Sequence, residues 1–169
     1  SRAMTRAAEA GHVQAAAILA DMYYSGADGS GIDFDQAWQM LQRPAQEGDL
    51  FALSLKAKMQ HRGIPAAGGV QAVDQGKLDL ETLAPAIIQG AESGDPLLAS
   101  VAGYIYSIPP GDIKKAIYWF EKAASLGFLN AKVNLGWVYY TGKYVRQDKE
   151  KAMSLFTQAA EVGNPRAMT

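Results

Sequence analysis

One spacing returns along the whole chain and constrains its fold more than any other feature. It is clearest between Ala116 and Gly142. Ala116, Trp119, Phe120, Ala123 and Ala124 fall at i, i+3, i+4, i+7 and i+8, which puts one apolar stripe on one face of a helix. Gly127 ends that helix, because glycine takes the left-handed conformation that closes a helix C-terminus without a Cβ penalty. A second helix follows, in which Ala131, Leu135, Val138 and Tyr139 repeat the spacing and Gly142 is the stop.

The same template fits elsewhere, and such self-similarity is the signature of a repeat architecture. Moved forward by 36 residues, Ala116, Phe120, Ala123, Ala124 and Gly127 become Ala152, Phe156, Ala159, Ala160 and Gly163. Moved back by 116, Ala123, Ala124, Gly127, Ala131, Leu135, Tyr139 and Gly142 become Ala7, Ala8, Gly11, Ala15, Leu19, Tyr23 and Gly26. A copy 33 residues back gives Ala91, Gly94, Ala102, Gly103 and Tyr106, and one 79 back gives Ala45, Gly48, Ala52, Ala57 and Gly63. In this last copy Lys56 and Gln60 hold the Leu and Tyr positions, so its helix is expected to be the least well packed or slightly rotated.

The corners repeat too. Gly11-His12, Gly48-Asp49, Gly94-Asp95 and Gly163-Asn164 each set a helix-ending glycine before a residue able to cap the next helix. Pro96 and Pro165 follow at the first helical position, where the missing N–H costs nothing. Gly127-Phe128 departs from the pattern, with Asn130 as a candidate later cap.

The pattern A-x-x-x-L-G-x-x-Y-x-x-G at Ala131, Leu135, Gly136, Tyr139 and Gly142, the D-x-x-K-A start at Asp148, Lys151 and Ala152, and the K-A-A-x-x-G close from Lys122 to Gly127 resemble the Sel-one-like repeat, a relative of the tetratricopeptide repeat. The resemblance covers nearly the whole chain. It implies an all-α fold, a right-handed α/α superhelix (solenoid) of antiparallel helix pairs, and a role as an adaptor that holds other proteins together. It also points loosely to a bacterial envelope or secretion-linked setting. The repeats are expected at about 12–47, 49–93, 95–126 and 128–162, with partial repeats at 1–10 and 164–169, so the sequence reads as a stretch of a longer array.

Composition agrees with a helical domain. At 49% hydrophobic and 20% charged the 169 residues can bury a core, and the absence of alternating apolar runs argues against a sheet. Zero cysteines exclude disulfides and thiolate chemistry. No stretch approaches the roughly 18 apolar residues that cross a bilayer, so membrane insertion is not expected. A net charge of −1 lacks the basic stripe of a nucleic-acid footprint. The segment 112–151 holds eight Lys or Arg against four Asp or Glu, so it carries +4 and the remainder −5. That excess is either a set of solvated faces or a preference for an acidic partner.

Between Gly63 and Leu83 the chain spends about ten residues more than the template, and the Gly- and Ala-rich stretch 64–79 reads as an inserted mobile loop. Pro85 marks a first turn or a kink in the helix that follows.

A partner would touch positions that packing leaves over, on the inner face of the first helix of each pair. In the template these are Asn130, Val133, Trp137 and Tyr140. Trp137 corresponds by the offsets to Tyr104, Lys58 and Asp21, and Tyr140 to Ser107, His61 and Tyr24. In the tetratricopeptide relatives this face lines a concave groove. Tyr24, Tyr104, Trp137 and Tyr140 are therefore the expected anchors for a partner segment, with Asp21, Lys58 and His61 as polar selectors. The competing reading packs these aromatics against neighbouring repeats.

Nothing points to catalysis, a cofactor or a metal. The two histidines, His12 and His61, read as a corner residue and a groove residue. No HExxH, GxSxG, P-loop or dinucleotide motif is present, and pairs such as Asp33 with Asp35 or Asp148 with Glu150 look like helix-start charges. Two other readings stay open: a structural spacer that self-associates through open repeat ends, and an envelope protein associated with carbohydrate.

Overall fold

The computed structural model describes residues 6–7, 11–26, 31–142 and 145–162, with Val162 described by its backbone alone. Apart from residues 6–7, the expected partial repeats at the two ends lie outside the described residues, as do the corner Gly163-Asn164 and Pro165. The described residues form helices and turns without a strand. Two compact units divide them, Ser1–Ile87 and Ile88–Thr169.

The first unit holds α1 (Val13–Ser25), α2 (Phe34–Gln46), α3 (Leu50–His61), two short 3-10 turns at Pro65–Ala67 and Gly69–Ala72, and most of α4 (Val73–Glu92). The second holds the end of α4, then α5 (Pro96–Ser107), α6 (Ile113–Ser125), α7 (Leu129–Thr141) and α8 (Lys149–Val162). Consecutive helices joined by short corners pack as antiparallel hairpins, α1 on α2, α5 on α6 and α7 on α8.

Aspartates start most of these helices. Asp33, Asp49, Asp112 and Asp148 each accept a hydrogen bond from the backbone N–H three residues on, at 2.9, 2.7, 3.1 and 2.8 Å. Asp95 accepts two, from Leu97 at 2.9 Å and Leu98 at 3.1 Å, with Pro96 at the first helical position. Each cap satisfies donors that the helix itself cannot, a contribution of about 1 kcal/mol. Asp33 and Asp148, read as helix-start charges, thus serve as caps. His12 stands at the start of α1 without a side-chain cap bond, and Phe128 does the same for α7. Asn130 lies inside α7, after its first residue, so it does not serve as the later cap.

Small residues let the paired helices approach. A Cβ on Gly103 would come within 2.6 Å of the Phe120 ring, and one on Gly136 within 2.6 Å of the Phe156 ring. Around this approach the second unit buries Ala116, Phe120 and Leu135, with Tyr104, Tyr106 and Tyr139 packed against them. Large apolar side chains buried in this way contribute about 2 kcal/mol each.

In the first unit the device is reversed. Ala57 stands at the position equivalent to Gly136, and the glycine has moved to the facing helix: a Cβ on Gly76 would meet the Ala57 carbonyl oxygen at 2.6 Å and the backbone nitrogen of His61.

Of the two outcomes expected for α3, looser packing does not hold, since it buries Phe51, Ala52, Ser54, Leu55, Ala57 and Met59. It is rotated instead: Leu55 and Met59, one residue before Lys56 and Gln60, turn inward, because a charged and an amide side chain cannot fill a core that Leu and Tyr fill elsewhere. The stretch 64–79 is likewise not a structureless loop. Its first residues form the two 3-10 turns, and from Val73 it is helix, adding turns to the start of α4. Gly76, Leu80, Ile87 and Ala91 give this long helix one continuous buried stripe. Pro85 sits in its interior on the exposed side.

Candidate binding surfaces

The seven side chains expected to meet a partner fall into different environments, and each unit has its own set. In the first unit, Tyr24 is 7% exposed and Asp21 also 7%. Neither forms an open floor. The Phe34 ring lies 5.7 Å from the Tyr24 ring, the Lys58 ammonium stands 5.0 Å from its centroid, and the Arg62 guanidinium 5.6 Å. Nη1 of Arg62 also donates to the Tyr24 hydroxyl. Template transfer missed this cover, because it assumed that the same face stays open in each copy. Cations over an aromatic face gain from its quadrupole, and more so where partly desolvated, so this cluster ties α1 to α3.

Lys58 and His61 are half-buried, and Arg62 beyond them is exposed. Burial holds the His61 imidazole below its ordinary pKa, and the Lys77 ammonium adds to the effect. Arg62 was not among the expected residues. Its place one helical turn after Lys58 was the available signal.

In the second unit, Tyr104 is half-buried against the Ala116, Phe120 and Leu135 cluster, so it packs instead of projecting. Ser107, its neighbour one turn on, donates from its hydroxyl to the Tyr104 carbonyl at 2.6 Å. Trp137 and Tyr140 behave differently. Trp137 is 54% exposed and Tyr140 42%. Their rings meet edge to face, centroids 5.5 Å apart and planes at 86°. Phe156 on α8 supports Trp137 from behind at 5.5 Å. Buttressed on both sides, the indole has few rotamers to lose on binding, yet more than half of its surface meets water.

The basic excess of the sequence is visible beside other aromatics of this unit. Lys115 lies over Tyr106, Lys122 over Trp119, and Lys151 over Tyr139 at 4.1 Å. Lys151 also donates to the Tyr139 hydroxyl at 2.8 Å, and this bond raises its pKa; burial opposes it as the next largest effect, and the charges of Tyr139, Glu121 and Asp148 add smaller raises.

Among the described residues no group of three or more His, Asp or Glu is placed to hold a metal ion, and no helix is long and apolar enough to cross a membrane.

A family model described as Sel1 repeat matches residues 13–49, 99–128 and 129–164. The first stretch spans the α1 and α2 hairpin and the last the α7 and α8 hairpin, while 50–98 falls between the matches. Over 57 residues the chain is 33% identical to the ERAD-associated E3 ubiquitin-protein ligase component HRD3 of Candida glabrata, a match covering 34% of this chain and 7% of that protein. Among solved structures, a Sel1 repeat protein from Oxalobacter formigenes is 24% identical, with a TM-score of 0.42, over 98% of this chain and 64% of its own. The protective antigen c5321 of uropathogenic Escherichia coli, which displays an SLR fold, is 23% identical, with a TM-score of 0.41, over 97% of this chain and 41% of its own. The chain thus spans less than two thirds of each of these relatives.

Proposed function

The chain belongs to the Sel1 repeat family, whose repeats generally mediate protein–protein interaction, and on that premise we propose that it is a scaffold or adaptor binding a segment of a partner protein. The observation that carries the proposal is the exposed, buttressed pair of Trp137 and Tyr140. On a helix whose Ala131, Leu135 and Gly136 are buried, two large aromatics turned to water cost solvation without contributing to the core. Trp and Tyr concentrate binding energy at interfaces, because they bury much area for few lost rotamers. In the second unit they are the anchors of the partner segment. The first unit presents its own polar groups, Lys58, His61 and Arg62, around a closed Tyr24 whose ring and hydroxyl hold Lys58 and Arg62.

The test is affinity capture from source-cell lysate with the unaltered chain and with a Trp137→Ala, Tyr140→Ala double variant, after circular dichroism has established that the variant keeps its helix content. The proposal requires a protein captured by the first and lost by the second. Equal capture by both removes the aromatic pair as the anchor. Self-association without capture favours a structural spacer instead.

A further inference from the structure

The repeat built from α3 and α4 departs from the template at two places, and both departures border one cleft. Lys56 and Gln60 stand where α1 and α7 hold Leu and Tyr, and the extra turns at the start of α4 bring Asp79 and Thr82 to the facing side. Between them is a cleft of about 370 Å³. That is the small end of the range for small-molecule sites. Leu53, Ala57 and Leu83 give it an apolar lining.

Its polar groups are held but not neutralised. The Lys56 ammonium donates to Oε1 of Gln42 at 2.9 Å and lies 4.8 Å from the centroid of the Trp38 ring, while the Gln42 amide is itself fixed by donating to the Trp38 carbonyl at 2.6 Å. No carboxylate among the described residues comes within 4.0 Å of that ammonium. On the other wall, Oδ1 of Asp79 accepts from the Gln75 amide at 2.7 Å, and no described cation comes within 4.0 Å of it. Burial lowers the Lys56 pKa, as expected of an ammonium that has lost water without gaining a counter-ion.

From these facing walls we propose that the cleft is a binding site for a small zwitterion of the amino-acid type, its ammonium on Asp79 and its carboxylate on Lys56 and the Gln60 amide. A neutral ligand would leave both charges uncompensated, and a simple anion or cation would satisfy one wall and be repelled by the other. A zwitterion matches both, and the apolar lining accepts an aliphatic side chain. This site is separate from the partner surfaces and does not depend on them.

The test is a titration of the isotope-labelled chain, followed by amide NMR shifts, with free leucine, N-acetyl-leucine and leucine amide as probes. Saturable shifts confined to 53–60 and 79–83 are expected with free leucine, and at least tenfold weaker binding with the two singly charged analogues. A Lys56→Leu, Gln60→Tyr variant carries the residues of α1 and α7, so it folds with a filled cleft and loses the shifts. Asp79→Asn keeps the cleft and weakens free leucine at least tenfold while sparing N-acetyl-leucine. The proposal is overturned by no saturable shift with free leucine up to millimolar concentration, by equal binding of all three probes, or by unchanged binding in either variant.

Discussion

Gly103 lies flat against the ring of Phe120, so close that a Cβ would stand 2.6 Å from Cδ1, and Gly136 has the same relation to Phe156 one repeat later. The helices of each pair meet through these contacts, but the two rings differ in freedom. Phe120 is 4% exposed, whereas Phe156 is only partly buried. Alanine normally gains about 1 kcal/mol over glycine inside a helix, while overpacking a closed core costs about 1–3 kcal/mol. Gly103→Ala is therefore expected to destabilise by about 1–2 kcal/mol, and Gly136→Ala by less, since Phe156 has room to swing aside. Urea unfolding of the two variants gives the comparison, and equal losses would contradict it.

Gly76 is a sharper case, because its obstacle is backbone. A Cβ there meets the Ala57 carbonyl oxygen and the His61 nitrogen, neither of which moves without shifting α3. Gly76→Ala is expected to be the most destabilising of the three glycine substitutions, by about 3 kcal/mol or more. A glycine in a mobile loop would tolerate the change, so a neutral result would restore the loop reading of 64–79.

How far the chain could be read in advance turns on this same repeat. The hairpins, the aspartate caps and the buried alanines followed from spacing, because a helix buries one stripe whatever its neighbours do. The stripe of Gly76, Leu80, Ile87 and Ala91 was also present in the sequence, but the Gly and Ala content around it outweighed it. In α3 the offset that aligned the glycines put Lys56 and Gln60 inside, and the helix answered by turning Leu55 and Met59 inward. The binding residues were less legible. Exposure of Trp137 and burial of Tyr24 depend on Phe156, Phe34 and Arg62, which lie outside the helix each one covers and which spacing along one helix does not reveal.

Asp95 carries the most heavily used cap, and its loss isolates the value of such a start. Asp95→Ala is expected to cost about 1 kcal/mol, and Asp95→Asn much less, since the amide oxygen still accepts from Leu97 and Leu98. Hydrogen exchange at the first turn of α5 reads both: protection falls in the first variant and is largely kept in the second.

His61 makes the first unit sensitive to acid. Its folded pKa is lowered, so the unfolded chain takes up a proton first as pH falls. The sign follows directly: above about 6.5 the group has no effect, and stability is lost as pH drops from there through the lower folded value. NMR titration of the His61 ring is expected to give a midpoint below its ordinary value. Lys77→Met is expected to raise that midpoint only partway, because burial is the larger cause and remains. Full recovery would make Lys77 the dominant cause.

The most direct measurement of the scaffold role places a photo-crosslinking residue at position 140, beside the Trp137 ring, and a control at Lys114 on the exposed side of α6. Irradiation in the source cell is expected to give a discrete adduct with another protein from position 140 and none from position 114. Adducts of equal yield from both positions, or none from position 140, would contradict the assignment of Trp137 and Tyr140 as the partner's anchors.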